Sequence, residues 1–140
     1  MPQRGLRTLL VLLGVAIAVS VVHYTDNYLN YADYPQAEDG TVGALVTREV
    51  VLVSWFVFTA FGIAGLWLFA RGRIVPAAAC LTAYSVSGLI GIGHYLVEGA
   101  TDMVWWRQAH VVADIVCGVL VLAFALRSVS ALRPATQPAP

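Results

Sequence analysis

The chain has no lysine. Its 8 cationic residues are all arginines, 8 carboxylates balance them, and the formal net charge is zero. That excludes the basic surface a nucleic-acid partner would need. Cysteine is nearly missing too. Cys80 and Cys117 sit alone in separate apolar runs, with no C-x-x-C spacing. A thioredoxin-type motif and a cysteine-based zinc site are therefore not indicated, and two small buried hydrophobes remain as the reading. The tail carries no endoplasmic-reticulum retention signal, and no internal repeat is visible.

Scarce charge comes with surplus apolar residues. Charged residues make up 11% of the 140 and hydrophobic ones 59%, too apolar for a soluble domain of this size. Runs of about 20 apolar residues are long enough to span a bilayer as helices. Four occur, at about 6–22, 50–70, 74–97 and 107–127. The expectation is an all-α, integral membrane four-helix bundle, a single domain over 1–127 in contact with lipid. An outer loop spans 23–48, and the Pro-rich tail 128–140 is expected to be disordered. Arg4 and Arg7 before the first run also resemble a signal peptide. The exit AVSVVHY has no A-x-A site, which favours an uncleaved anchor.

The arginines set the expected orientation. Arg4 and Arg7 precede helix 1, Arg71 and Arg73 fill the link between helices 2 and 3, and Arg127 and Arg133 follow helix 4. With alternating helices all of these fall on one side, which the positive-inside rule makes the cytoplasm. The other side receives Asp26, Asp33, Glu38, Asp39, Glu49, Glu98 and Asp102, with only Arg48 and Arg107. Both termini are thus expected in the cytoplasm, in a bacterial inner membrane. Trp105 and Trp106 sit where an aromatic belt belongs. Ser87, Gly91, His94 and Glu98 form a stripe on helix 3, and helix 2 offers Ser54, Gly62 and Gly65. Small residues let membrane helices pack closely.

All 3 histidines fall near the outer ends of helices, each with a carboxylate three or four residues later. The pairs are His23 with Asp26, His94 with Glu98, and His110 with Asp114. On an α-helix these spacings share one face. Asp114 lies about 12 Å deeper than Trp106, at about 1.5 Å per residue. An ionised carboxylate at that depth costs at least about 2.5 kcal/mol, so it must be paired, protonated or facing water. In HYTDNYLNYADYP, residues 23–35, Tyr24, Tyr28, Tyr31 and Tyr34 recur at helical spacing. His23, Asp26 or Asn27, Asn30 and Asp33 form a neighbouring face. Helix 1 should therefore continue, or turn along the interface, until Pro35 disfavours helix at Tyr34. The tyrosines are read as headgroup anchors and the polar face as a cap on the bundle's mouth.

Several chemistries fit such a cluster. Imidazole with carboxylate suits a divalent metal held by His23, Asp26, His94, Glu98, His110 and Asp114, although no H-E-x-x-H signature is present. Burial raises a carboxyl pKa, and a nearby His can relay the proton. Haem b between two histidines is a third option, but it leaves the acid after every His unexplained. A buried polar network that only fixes helix register is the fourth.

The element GIGHYLVEG at 91–99 resembles the His-x-x-x-Glu-Gly element of the EXPERA family of membrane proteins, which includes sterol isomerases and the sigma-two receptor. The layout is similar over most of the chain. There are four helices, a YP in the first outer loop, a short basic turn before helix 3, Glu49 near the start of helix 2, and a helix 4 ending in FALRS. The resemblance implies a pocket within the membrane where acidic and His side chains shift a double bond by protonation and deprotonation. It carries over to His94 and Glu98, more loosely to Glu49 and Asp26, and not to His110 and Asp114.

The combined expectation is an outward-facing pocket for a lipid-like or small apolar ligand, on the non-cytoplasmic side, with isomerase-type proton transfer. Glu98 and Asp114 would be its acid/base pair, and His94 and His110 would tune or relay. His23, Asp26 and Asn27 would close the mouth, with Glu49, Ser87 and Trp106 also contacting ligand. The alternatives are a divalent-metal protein for uptake, sensing or metalloenzyme assembly, and an accessory subunit of a larger membrane complex. A homo-oligomer is compatible with each.

Overall fold

The structure is a computed structural model, and it describes residues 2–37, 40 and 42–132. Glu38, Asp39, Arg133 and most of the Pro-rich tail lie outside the described residues. The described chain is all-helical: α1 is Pro2–Leu29, α2 Arg48–Ala70, α3 Ile74–Leu89 and α4 Trp105–Ser130. Among the described residues, four helices are long and apolar enough to cross a membrane, counting α3 with the 3-10 segment that extends it to Leu96. Their outer faces carry Val11, Phe56, Ile63, Val75 and Val119, all exposed, as surfaces in contact with lipid would be.

Each boundary has a local cause. Thr47 caps α2, its hydroxyl accepting from the Val50 amide at 3.3 Å. At the other end Gly72 turns with φ +74°, which lets the Gly72 and Arg73 amides close back on the Phe69 and Leu68 carbonyls. Helix α3 follows at once. Its Pro76 sits in the first turn, where the missing amide donor has no intrahelical acceptor to lose.

One element follows the expectation that helix 1 continues beyond its apolar run, and one departs from the expected bounds. Helix α1 runs past Val22 to Leu29, so the polar stretch after the apolar run is helical. Its successor is a short 3-10 turn, Tyr31–Asp33, that ends before Pro35. Helix 3 was expected to 97, but its α-helical part stops at Leu89 and a 3-10 segment occupies Ile90–Leu96. Gly91 and Gly93 fall inside that segment, and glycine is a weak α-helix former.

Each helix packs on the next, and α1 closes the ring against α4. The common core is Leu9, Leu13, Ala16, Leu81, Tyr84 and Val121, joined by Cys117. Both cysteines are free thiols. Glycines set the closest approaches. A Cβ on Gly62 or Gly65 would meet the Tyr84 ring or the Leu81 side chain at 2.9 Å. A Cβ on Gly118 would come within 2.8 Å of the Ser85 carbonyl, and one on Gly88 would run into the Asp114 carbonyl. Backbone contact between α3 and α4 thus fixes the height of Asp114 in the bundle.

Candidate functional site

The end of the bundle holding the α1–α2 connection gathers the polar side chains. From α1 come His23, Asp26 and Asn27, one helical turn apart. From α4 come Arg107, His110 and Asp114, spaced i, i+3, i+7 on the face toward α1. From the 3-10 segment after α3 comes His94. The three imidazoles meet: the His23 ring centroid lies 5.7 Å from that of His94 and 5.4 Å from that of His110.

The pairs form across helices rather than along them. His23 Nδ1–H donates to Asp114 Oδ2 at 2.8 Å, with both side chains 3% exposed. This bond fixes which imidazole nitrogen faces the acid, and it leaves His23 Nε2 buried and without a partner. Asp26 does not bond its helix neighbour His23. It accepts from Arg107 Nε at 2.9 Å, the Tyr34 hydroxyl at 2.6 Å and Asn30 Nδ2 at 2.7 Å. His110 Nε2 stands 3.5 Å from the same carboxylate. Arg107 reaches on to Asp33 at 3.2 Å, and its guanidinium lies near the Tyr34 and Trp106 rings. Burial, and then the bond to the Asp26 carboxylate, push the Tyr34 phenol well up. Tyr34 therefore keeps its proton and serves Asp26 as a constant donor.

A cavity of about 240 Å³ opens beside this network. His23, Asn27 and His94 form its polar end, with Tyr34 beside them. Val46, Val50, Val51, Ile90 and Val97 supply apolar wall. Asn27 Nδ2 donates to His94 Nε2 at 3.2 Å, which places the His94 proton on Nδ1. The cavity is thus mostly apolar, with a few polar atoms converging at one end, the common form of a small-molecule site.

Of the residues singled out in the sequence, the fold brings His23, Asp26, Asn27, His94, His110 and Asp114 together. Glu98 is not among them. It is exposed in the turn after the 3-10 segment ends. A shared face at i, i+4 needs about 3.6 residues per turn, and the tighter 3-10 coil followed by extended Val97 destroys it. Glu49 is exposed and paired with Arg48 at 2.7 Å. Ser87 is buried, and its backbone carbonyl accepts from the Tyr24 hydroxyl at 2.9 Å. Trp106 is exposed, with its ring 5.6 Å from that of His110.

The network also includes Arg107, Tyr24 and Tyr34, which the sequence pattern does not mark as site residues. Arg107, expected only as an outer charge, shares the α4 face with His110 and Asp114 at i, i+3 and i+7. Tyr24 and Tyr34, expected at the headgroups, are both buried instead. Tyr34 is brought back over Asp26 by the turn before Pro35, which no periodicity signals. Among the described residues, no three His, Cys, Asp or Glu side chains are grouped to hold a metal ion.

No family profile, curated protein or solved structure matches this chain.

Proposed function

We propose that this is a multi-pass membrane protein that binds a small, largely apolar ligand in the cavity at the loop end of the bundle and exchanges a proton with it through His23. The observation that carries this reading is the buried His23–Asp114 pair, whose free Nε2 belongs to a residue lining the cavity. A carboxylate behind an imidazole holds the ring in place and stabilises the imidazolium that forms when Nε2 takes a proton. In isomerase-type chemistry the same nitrogen returns the proton elsewhere on the ligand, with no net change in the protein. Asp114 is the acid this geometry favours, in place of the Glu98 that the EXPERA likeness would use. The arginine distribution supports a site on the non-cytoplasmic side of a bacterial inner membrane.

Native mass spectrometry of the detergent-purified full chain tests the reading. A retained small molecule is expected in the wild type. Gly93 lines the cavity, and a Cβ there meets nothing within 4 Å. Gly93→Trp should therefore fold normally and lose the ligand. Asp114→Asn should keep the fold and lose turnover of the ligand so identified. Loss of assembly in Asp114→Asn, with no adduct in the wild type, would instead support a polar network that only fixes helix register.

A further inference from the structure

The end of the bundle away from the cavity carries charge that the described protein does not balance. Arg4, Arg7, Arg71, Arg73 and Arg127 are all exposed there. Residues 1–25, 50–97 and 115–140 include all of these arginines and contain no Asp or Glu. Among the described residues every ion pair lies at the cavity end, where Arg48 and Arg107 both have carboxylate partners. The arginines are also gathered by the fold. A Cβ on Gly5 would meet the Phe69 ring at 3.4 Å, and that ring packs 5.4 Å from Phe124. The start of α1 and the ends of α2 and α4 therefore stand side by side.

Position on each helix shows which way these charges face. On α1, Arg4 and Arg7 share a face with exposed Val11 and Val15, at i, i+3, i+7 and i+11. On α2, exposed Phe56, Ile63 and Trp67 recur at i, i+7 and i+11, and Arg71 follows one turn later. On α4, exposed Val116 and Leu120 lead along one face to Arg127. Three apolar stripes thus each end in arginine. The Arg71 guanidinium also lies over the half-exposed Trp67 ring, 3.9 Å from its centre. Stacking of this kind holds the cation against the apolar flank instead of letting it extend away from the helix end.

A partner for this rim must bring negative charge to the level where the apolar stripes stop. Guanidinium is always charged, and its planar fork matches two oxygens of a phosphate. A soluble anion supplies the charge but leaves the stripes bare. A zwitterionic phospholipid covers the stripes but carries its own ammonium beside the phosphate. An anionic phospholipid does both. We infer that the arginine-bearing rim binds anionic phospholipid, with acyl chains along the stripes of α1, α2 and α4 and the phosphodiester on Arg4, Arg7, Arg71 and Arg127. This surface is separate from the cavity, and the inference does not depend on what the cavity binds.

The test offers the full-length protein in detergent dioleoyl phosphatidylglycerol and dioleoyl phosphatidylcholine together, at equal mole fraction, and reads retained lipid by native mass spectrometry. The chains are identical, so the headgroup is the difference. The protein's formal net charge is zero, so attraction to the molecule as a whole does not favour the anion. Phosphatidylglycerol should be retained at least about fivefold over phosphatidylcholine, the worth of one arginine at an anionic surface. Salt should shrink the preference. Arg71→Gln with Arg127→Gln should lower it by about fivefold or more. Arg48→Gln, at the other end, should leave it unchanged. Any change of membrane orientation in these variants has no effect in detergent. Equal retention of the two lipids by the wild type overturns the inference and leaves the arginines as orientation signals only. So does a preference that survives Gln at Arg4, Arg7, Arg71 and Arg127 together, because the lipid is then held elsewhere. Full displacement by excess inorganic phosphate also overturns it, in favour of a site for a soluble anion. If a variant fails to fold, the wild-type comparison still decides.

Discussion

Arg107 and Asp26 are each about nine-tenths buried at the loop end, and each compensates the other's charge. Asp33, the second carboxylate on Arg107, is 60% exposed and contributes little. Removing one partner of a buried pair leaves an uncompensated charge, which costs far more than the pair's net contribution. Arg107→Ala should therefore lower stability by about 3 kcal/mol, read from unfolding in mixed micelles. The double variant Arg107→Met with Asp26→Leu should recover most of that loss, because apolar replacements of similar size remove both charges together. If the double variant is as unstable as the single one, the pair holds the fold through geometry rather than charge. Tyr34 belongs to the same residue-level logic. Its phenol is held protonated over Asp26, so this corner of the site keeps its donor at neutral pH.

Among the elements, α3 and α4 make the tightest contact, at Gly88 and Gly118. A methyl at Gly88 would press on the Asp114 carbonyl and lie 3.1 Å from the Gly118 amide nitrogen, both of them backbone, so neither can swing aside. Overpacking of this kind costs about 1–3 kcal/mol. Gly88→Ala should fall in that range and, by shifting the backbone that carries Asp114, also weaken ligand retention. Gly93→Ala is the control, since its methyl meets open space. Thermal unfolding of the two variants checks the difference, and equal midpoints would sink the close-packing account. This contact also marks how far the sequence could be read. Four long apolar runs predicted four helices, because hydrophobicity over about 20 residues is a strong signal. The stripe through Ser87 and Gly91 predicted where α3 would be packed closely, but assigning Gly88 needed the rotation of α3 against α4, which period alone does not fix. The switch to 3-10 geometry at Ile90 was likewise hidden. The GIG sequence permits it without demanding it, and with it went the expected partnership of His94 and Glu98.

The molecule as a whole is polarised along its axis. The N-terminus of α1, the α2–α3 turn and the end of α4 lie together: Gly5 approaches the Phe69 ring, and Phe69 packs on Phe124 at 5.4 Å. That end therefore carries Arg4, Arg7, Arg71, Arg73 and Arg127. The opposite end carries the site, and there the described cations are Arg48 and Arg107, both paired with carboxylates. The cluster was legible in part because every His was followed by an acid near a helix end. Its wiring was not, because pairing across α1 and α4 depends on which helices are neighbours, and His23 to Asp114 spans 91 residues. The same charge asymmetry makes a prediction about orientation. Arginine near helix ends is retained on the cytoplasmic side during insertion, so the arginine-rich end should face the cytoplasm and the cavity the other compartment. A fluorescent protein fused after Leu132 should then light up, while alkaline phosphatase fused there stays inactive. Phosphatase inserted after Gly40, in the α1–α2 connection, should be active. The reverse pattern would put His23, Asp114 and the cavity in cytoplasmic reach, and the ligand would then have to be sought among cytoplasmic rather than external small molecules.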